Sequence, residues 1–281
     1  MKKGKSERKA PAKSLHPLML YEASVQNPAE AVSFVTRLFR ENSGRKPIAL
    51  REDFCGSSAF ACEWVRSDRK RTAVGLDLDQ TTLEWAREHN LPTLGKAVQR
   101  VTLLNRDVRS VTAPPVDVVT AFNFSYCVFK QRAQMKAYYR SVHDSLVDDG
   151  AFIFDLFGGT QGMNTTYEER RIAGRIRPDG TKIPSFKYGW EHAHFNVVNH
   201  DIHCHIDFKL KGQPKMRRVF SYDWRLWTIP ELADLLHETG FSRVETYLHG
   251  WTDDGESDEK YRKTKVFENS EGWLAYIVAV K

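Results

Sequence analysis

The chain has 281 residues, 41% of them apolar and 28% charged, which excludes wholesale disorder and leaves room for one large α/β domain with an elaboration. No apolar run nears the roughly 20 residues that span a bilayer, and the N-terminus lacks the apolar stretch of a secretory signal. Cys55, Cys62, Cys127 and Cys204 are scattered with no C-x-x-C pair, so the sequence reads as a soluble cytoplasmic protein with neither a disulfide framework nor a cysteine zinc site.

The formal net charge of +6 is concentrated at one end, with Lys2, Lys3, Lys5, Arg8, Lys9 and Lys13 against Glu7, so the rest is nearly neutral. Residues 1–18 are expected as a basic flexible tail, with contact to a polyanion as the sharper alternative. "NPAEAVSFVTRLFRENSG" predicts a helix, capped at Asn27 and stopped at Gly44. "PIAL", "TAVGLDLD", "RVTLLNRD", "VDVVTAFNFS" and "AFIFDLF" read as strands apolar on both faces. "SSAFACEWVRSD", "QTTLEWAREH" and "QMKAYYRSVHDSLVDDG" read as the helices among them. That alternation predicts a doubly wound, mostly parallel sheet covered on both sides.

From about residue 160 to 227 the pattern becomes polar–apolar alternation, an antiparallel β insertion after the fifth strand. "TIPELADLLHETG" returns to helix with Thr228 and Glu231 in capping-box relation. "SRVETYLH" and "WLAYIVAV" supply two last strands around the acidic loop "TDDGESDEKYRK", which brings the sheet to seven strands in one Rossmann-like domain, 19–281. In the insertion, a two-residue turn at Asn199 and His200 pairs Asn196 with His203, His194 with His205 and His192 with Asp207. All six then share one face, which suits solvent, an acceptor lining or a zinc ligand set.

Open parallel sheets bind ligands beyond the carboxyl ends of their strands. Here the first strand ends in Arg51, Glu52 and Asp53 before Gly56, the second in Asp77, the third in Asp107 and the fourth in Asn123. A carboxylate at the second strand end can accept from both hydroxyls of a ribose. The ordered series Glu52…Gly56, "GLDLD", "NRDV", "AFNFS" and "LVDDGAFIFD" resembles the class I S-adenosylmethionine-dependent methyltransferases, from about residue 20 to the end. The resemblance implies S-adenosyl-L-methionine as cofactor. Glu52 would lie at its amino-acid end, Asp77 with Leu78 at the ribose, Asp107 with Val108 by the adenine, and Gly56 and Asn123 along the cleft. Arg51 would meet the cofactor carboxylate or pair with a neighbouring acid.

The helical lead-in and the insertion look like the branch acting on small molecules, with Tyr21 and Tyr126 as candidate acceptor-site residues and no catalytic base assigned. The glycine-rich signature departs from the family pattern, because Phe54 and Ser58 stand at two of its three glycine places. An RNA or DNA methyltransferase is the runner-up, suggested by the basic tail, although the fourth strand ends "NFSY" and not Asn/Asp-Pro-Pro-aromatic. A non-catalytic binding protein of the same fold is motivated by Phe54. An NAD enzyme fits worse, since a pyrophosphate needs the missing glycines.

Overall fold

The computed structural model describes residues 15–252, 254 and 257–281, so the strongly basic segment 1–14 lies outside the described residues. A helix not foreseen in the sequence, α1 (Pro17–Val25), starts inside the span assigned to the tail, with the His16 side chain accepting from the Leu18 N–H. Helix α2 (Pro28–Ser43) follows and ends at Gly44, whose φ of 72° is the left-handed conformation expected of a helix stop. Then come β1 (Ala49–Asp53), α3 (Ala59–Ser67), β2 (Thr72–Asp77), α4 (Gln80–His89), β3 (Val101–Asn105), β4 (Val116–Ala121), α5 (Arg132–Asp144) and β5 (Leu146–Gly158).

The insertion carries β6 (Thr166–Ile172), the short pair β7 (Arg175–Ile176) and β8 (Lys182–Ile183), then β9 (Phe186–Phe195), β10 (Asp201–Leu210) and β11 (Met216–Arg225). Helix α6 (Ile229–Glu238) and strands β12 (Arg243–Leu248), β13 (Arg262–Lys263) and β14 (Trp273–Val280) complete the chain. The Thr228–Glu231 capping box forms as the sequence predicts.

The main sheet runs β13-β12-β14-β5-β4-β1-β2-β3, which is the expected seven strands plus the two-residue edge β13. Strand β1 pairs in parallel with β2 and β4, so the strand order reverses there, and β14 is antiparallel to both β5 and β12. Helices cover both faces. On one, Val35, Leu38, Phe39, Trp64 and Val65 of α2 and α3 pack on Leu50, Val118 and Ile153. On the other, Met135, Tyr138, Leu232 and Leu236 of α5 and α6 pack on Val119, Phe152 and Phe154.

The insertion forms a second, antiparallel sheet, β11-β10-β9-β6, that shares the main core. Ile202, Cys204 and Trp224 join the cluster around α5 and β5, while Ile206 and Phe208 pack with Leu20 and Ala23 of α1. The predicted hairpin register is corrected. The turn is wider than two residues, since β9 stops at Phe195 and β10 starts at Asp201, and His203 pairs with His194. A bulge then leaves Ala193 over, so His192 pairs with Cys204 and turns to the buried side. The six residues therefore do not share one face: His203 pairs with Asp223, and the His205 ring with Ser221.

Because the two sheets share one core, the insertion is expected to unfold together with the α/β layer. Far-ultraviolet circular dichroism and tryptophan fluorescence should report coincident denaturant transitions. Two separated transitions would contradict the shared core.

Candidate functional site

The turn after β1 keeps the backbone of a glycine-rich loop with one glycine in it. Phe54, Gly56 and Ser58 have φ of 54°, 49° and 59°, so all three places of the signature adopt the left-handed conformation. A side chain there costs roughly 1–2 kcal/mol. Packing offsets this at Phe54, whose ring lies 6.0 Å from that of Phe129 and 5.9 Å from that of Tyr138, leaning onto the core. The turn is fastened from two sides. The Gly56 N–H donates to Asp77 Oδ2 at 2.8 Å, and the Cys55 N–H to the Leu76 carbonyl at 3.0 Å.

Asp77 thus stands at the end of β2 with one backbone N–H on each oxygen, the other from Asp79 at 2.9 Å. Each oxygen keeps acceptor capacity for a further donor. Leu78 beside it is 68% exposed, a bare apolar side chain on the surface. Asp107 lies past β3 in a two-pronged pair with Arg109, which holds its carboxyl below the usual range. Glu52 is buried, accepts from the Ala61 N–H at 3.0 Å and is pushed up to about 8 by burial, with Asp77 and Asp53 adding to the shift.

Val108, Tyr126 and the cofactor contact offered for Arg51 are corrected, whereas the alternative pairing of Arg51 with a neighbouring acid, Asp53, is what forms. Alternation along β1 places Arg51 and Asp53 on the face opposite Glu52, and Arg51 is wholly enclosed. Its guanidinium donates to Asp53, to the carbonyls of Val108 and Ser110 and to Ser145 Oγ. These bonds brace the Val108 loop from behind the sheet, away from the cleft. The Val108 side chain likewise points into the core. Tyr126 is fully buried, donates to the Asp155 carbonyl at 2.8 Å and stacks edge-on against Phe154, so it lies behind β5 and not at an acceptor site.

Two adjoining cavities open at the carboxyl edge where the strand order reverses. The first, about 500 Å³, is bounded by Glu52, Phe60 and Phe122, by Asn27 and Phe34 of the α2 region, and by Glu259 and Tyr261 from the acidic loop. The second, about 600 Å³, lies under the insertion sheet and includes Tyr21, Phe124, Trp190 and Tyr222. Val25, Asn123, Asp155 and Tyr276 line both. The structure therefore brings Glu52, Asn123 and Tyr21 to one connected space.

Asp155 was missed as a site residue, although it ends the "AFIFD" run in the same way that acids end the earlier strands. Its oxygens accept from the N–H groups of Asn123 and Phe124 at 2.8 and 2.9 Å, and these two residues have left-handed φ of 58° and 59°. Burial pushes Asp155 up to about 7 against those hydrogen bonds. Among the described residues no group of three or more His, Cys, Asp or Glu side chains is arranged to hold a metal ion, and no helix is long and apolar enough to cross a membrane.

Two outcomes follow from this geometry. Ser58→Gly should leave stability unchanged or raise it by about 1 kcal/mol, while Ser58→Val should lower it; both are read by chemical denaturation. Glu52 rises from an ordinary 4.5 to about 8 on folding. Between those values the unfolded chain has lost a proton that the folded protein keeps, so the Glu52 contribution to stability is full below the lower value and declines as pH rises through the upper. Glu52→Gln should flatten that slope, and an unchanged profile would refute the burial argument.

No family model matches the sequence, and no curated protein does. Solved structures do resemble it in shape. An S-adenosylmethionine-dependent methyltransferase from Clostridium acetobutylicum superimposes with a TM-score of 0.65 at 15% identity, covering 93% of this chain and 96% of that one. An amino pentose methyltransferase from Micromonospora echinaspora, solved with S-adenosylmethionine bound, gives 0.64 at 13% over 96% and 100%. A sugar N-methyltransferase from Streptoalloteichus gives 0.63 at 14% over 100% and 98%. With the strand order, the antiparallel β14 and the insertion after β5, the chain has the fold of these S-adenosylmethionine-dependent methyltransferases.

Proposed function

We propose that this protein is an S-adenosylmethionine-dependent methyltransferase that transfers a methyl group by in-line displacement to a small-molecule acceptor. The observation that carries the reading is the pair of cavities meeting at Asn123, Asp155 and Tyr276 over the reversal of strand order. One space suits the donor and the other the acceptor, with a common wall between them. Two neighbours of like fold are an amino pentose methyltransferase and a sugar N-methyltransferase.

The residues fit the cofactor. Asp77 keeps acceptor capacity for a diol, Leu78 offers an apolar face, and Glu52 with its neighbouring acids favours a cationic group. When bound, the cofactor supplies an electrophilic methyl carbon. The chain's own contribution is alignment and the exclusion of water, both of which the half-closed cavities supply. Asp77 would hold the ribose, Glu52 the amino-acid end, and Asp107 the adenine edge.

Calorimetric titration with S-adenosylmethionine tests the reading, and no binding at millimolar cofactor would overturn it. Asp77→Ala should weaken binding about 10- to 100-fold, the loss of one charge-assisted hydrogen-bond pair. Because Glu52 is protonated at neutrality in the free protein, a bound cation should draw off its proton. The apparent heat should then depend on buffer ionisation enthalpy, and affinity should rise from pH 6 to 8. Heats independent of buffer would remove Glu52 from the cofactor site. Deleting residues 1–14 should leave turnover on a small acceptor unchanged, whereas lost turnover would favour the nucleic-acid reading.

A further inference from the structure

Resting on the methyltransferase reading, we propose that the acceptor is an amine that enters as its ammonium ion, and that Asp155 takes its proton before transfer. The acceptor cavity is walled by rings. Tyr222 stacks on Trp224 at 4.3 Å, Trp190 lies 6.0 Å from Tyr222, and Phe124 meets Phe157 at 4.7 Å. Ring faces of this kind attract cations. The charged groups of the wall point the same way: Asp155 and Glu168 are acidic, Glu169 is neutralised by Lys187, and the one cation among the described lining residues, Arg170, is engaged over the Tyr188 ring and with the Ser24 carbonyl. A carboxylate or phosphate acceptor would meet like charge. Among the described residues no histidine lines this cavity to activate a hydroxyl.

Asp155 alone places a carboxylate on the wall shared with the donor cavity, where nitrogen and methyl carbon must meet. The other titratable groups facing it do not compete as proton acceptors. Burial raises the Tyr21 and Tyr261 hydroxyls to about 12, and raises those of Tyr276 and Tyr126 and the thiol of Cys127 above their ordinary ranges. Asp155 itself, near 7, can take a proton and return it at neutral pH. The chemistry balances. The ammonium gives one proton to the carboxylate, and the amine lone pair forms the N–C bond as the S–C bond breaks. The bonding pair stays on sulfur, which becomes a neutral thioether. Nitrogen leaves as a methylated ammonium, and Asp155 releases its proton to water.

The test has a binding arm and a turnover arm. With the demethylated cofactor product bound, quenching of tryptophan fluorescence should show 2-phenylethylamine binding at least about 10-fold more tightly than 2-phenylethanol or 3-phenylpropanoate. Equal or reversed affinities would overturn the inference, and failure of the cofactor product itself to bind would overturn the methyltransferase reading instead. In the turnover arm, Asp155→Asn is measured at saturating cofactor. It should slow methylation of alkylamines about 100-fold or more and that of anilines, already neutral at pH 7, far less. Equal losses on both amine types would show that Asp155 only shapes the turn, and methylation of alcohols or acids in preference to amines would sink the proposal.

Discussion

The site depends on one interaction, the grip of the buried Asp155 carboxylate on the N–H groups of Asn123 and Phe124. Two successive residues in left-handed backbone are costly without glycine, and here the acceptor that repays them comes from the neighbouring strand. The bond pair ties the end of β4 to β5. It turns the chain so that Asn123 faces both cavities while the Phe124 ring goes into the acceptor wall. It also keeps a carboxylate at the wall shared by the two cavities, desolvated enough to stay near neutrality in its proton affinity. Structural bracing and chemical poise are thus carried by the same two oxygens.

The same logic explains how the turn after β1 survives without its usual glycines. A left-handed conformation is set by what holds the backbone, and here the Asp77 carboxylate and the Leu76 carbonyl hold it. Phe54 turns its side chain away from the ligand side onto Phe129 and Tyr138, so the ring that might have closed the turn becomes part of its foundation. Behind the sheet, Arg51 performs a comparable service for the loop carrying Asp107 and Val108. A buried guanidinium with this many partners is expensive to strand, which fixes the β1 edge relative to β3.

Much of this was legible in the sequence. The alternation of apolar runs with amphipathic helices specified the layered sheet, because a strand buried on both faces has few other solutions. Glu52, Asp77 and Asp107 do stand at adjacent strand ends, and of these three Glu52 lines a cavity. What was not legible has physical reasons. The order Arg51-Glu52-Asp53 reads as one cluster along the chain, yet the two-residue period of a strand divides it between opposite faces. His192 was misplaced because a single bulge at Ala193 reverses the parity of everything beyond it, and bulges leave little trace in composition. Helix α1 carries no amphipathic pattern of its own, since the insertion covers one side of it and the main domain another. Asp155 was visible as a strand-end acid, but its role depends on two residues far away in sequence whose backbone conformation no residue type announced.

The insertion and α1 are more than a roof, because one buried network connects them to the turn after β1. Arg177 of the β7–β8 hairpin donates to Glu22 of α1 and, at 2.7 Å, to Asn90 Oδ1 at the end of α4. The Asn90 amide donates in turn to Glu22 and, at 2.8 Å, to the Ser57 carbonyl within the turn that follows β1. Arg177 also lies over the Trp85 ring. Removing any one partner strands the others away from water, so the insertion cap and the turn after β1 are energetically one unit. A displacement of α1 moves Tyr21 and Val25, which line the acceptor cavity and the shared wall, and at the same time pulls on the backbone of the turn between Gly56 and Ser58. The insertion cap and the turn after β1 are therefore tied through a hydrogen-bonded path of three side chains and one carbonyl.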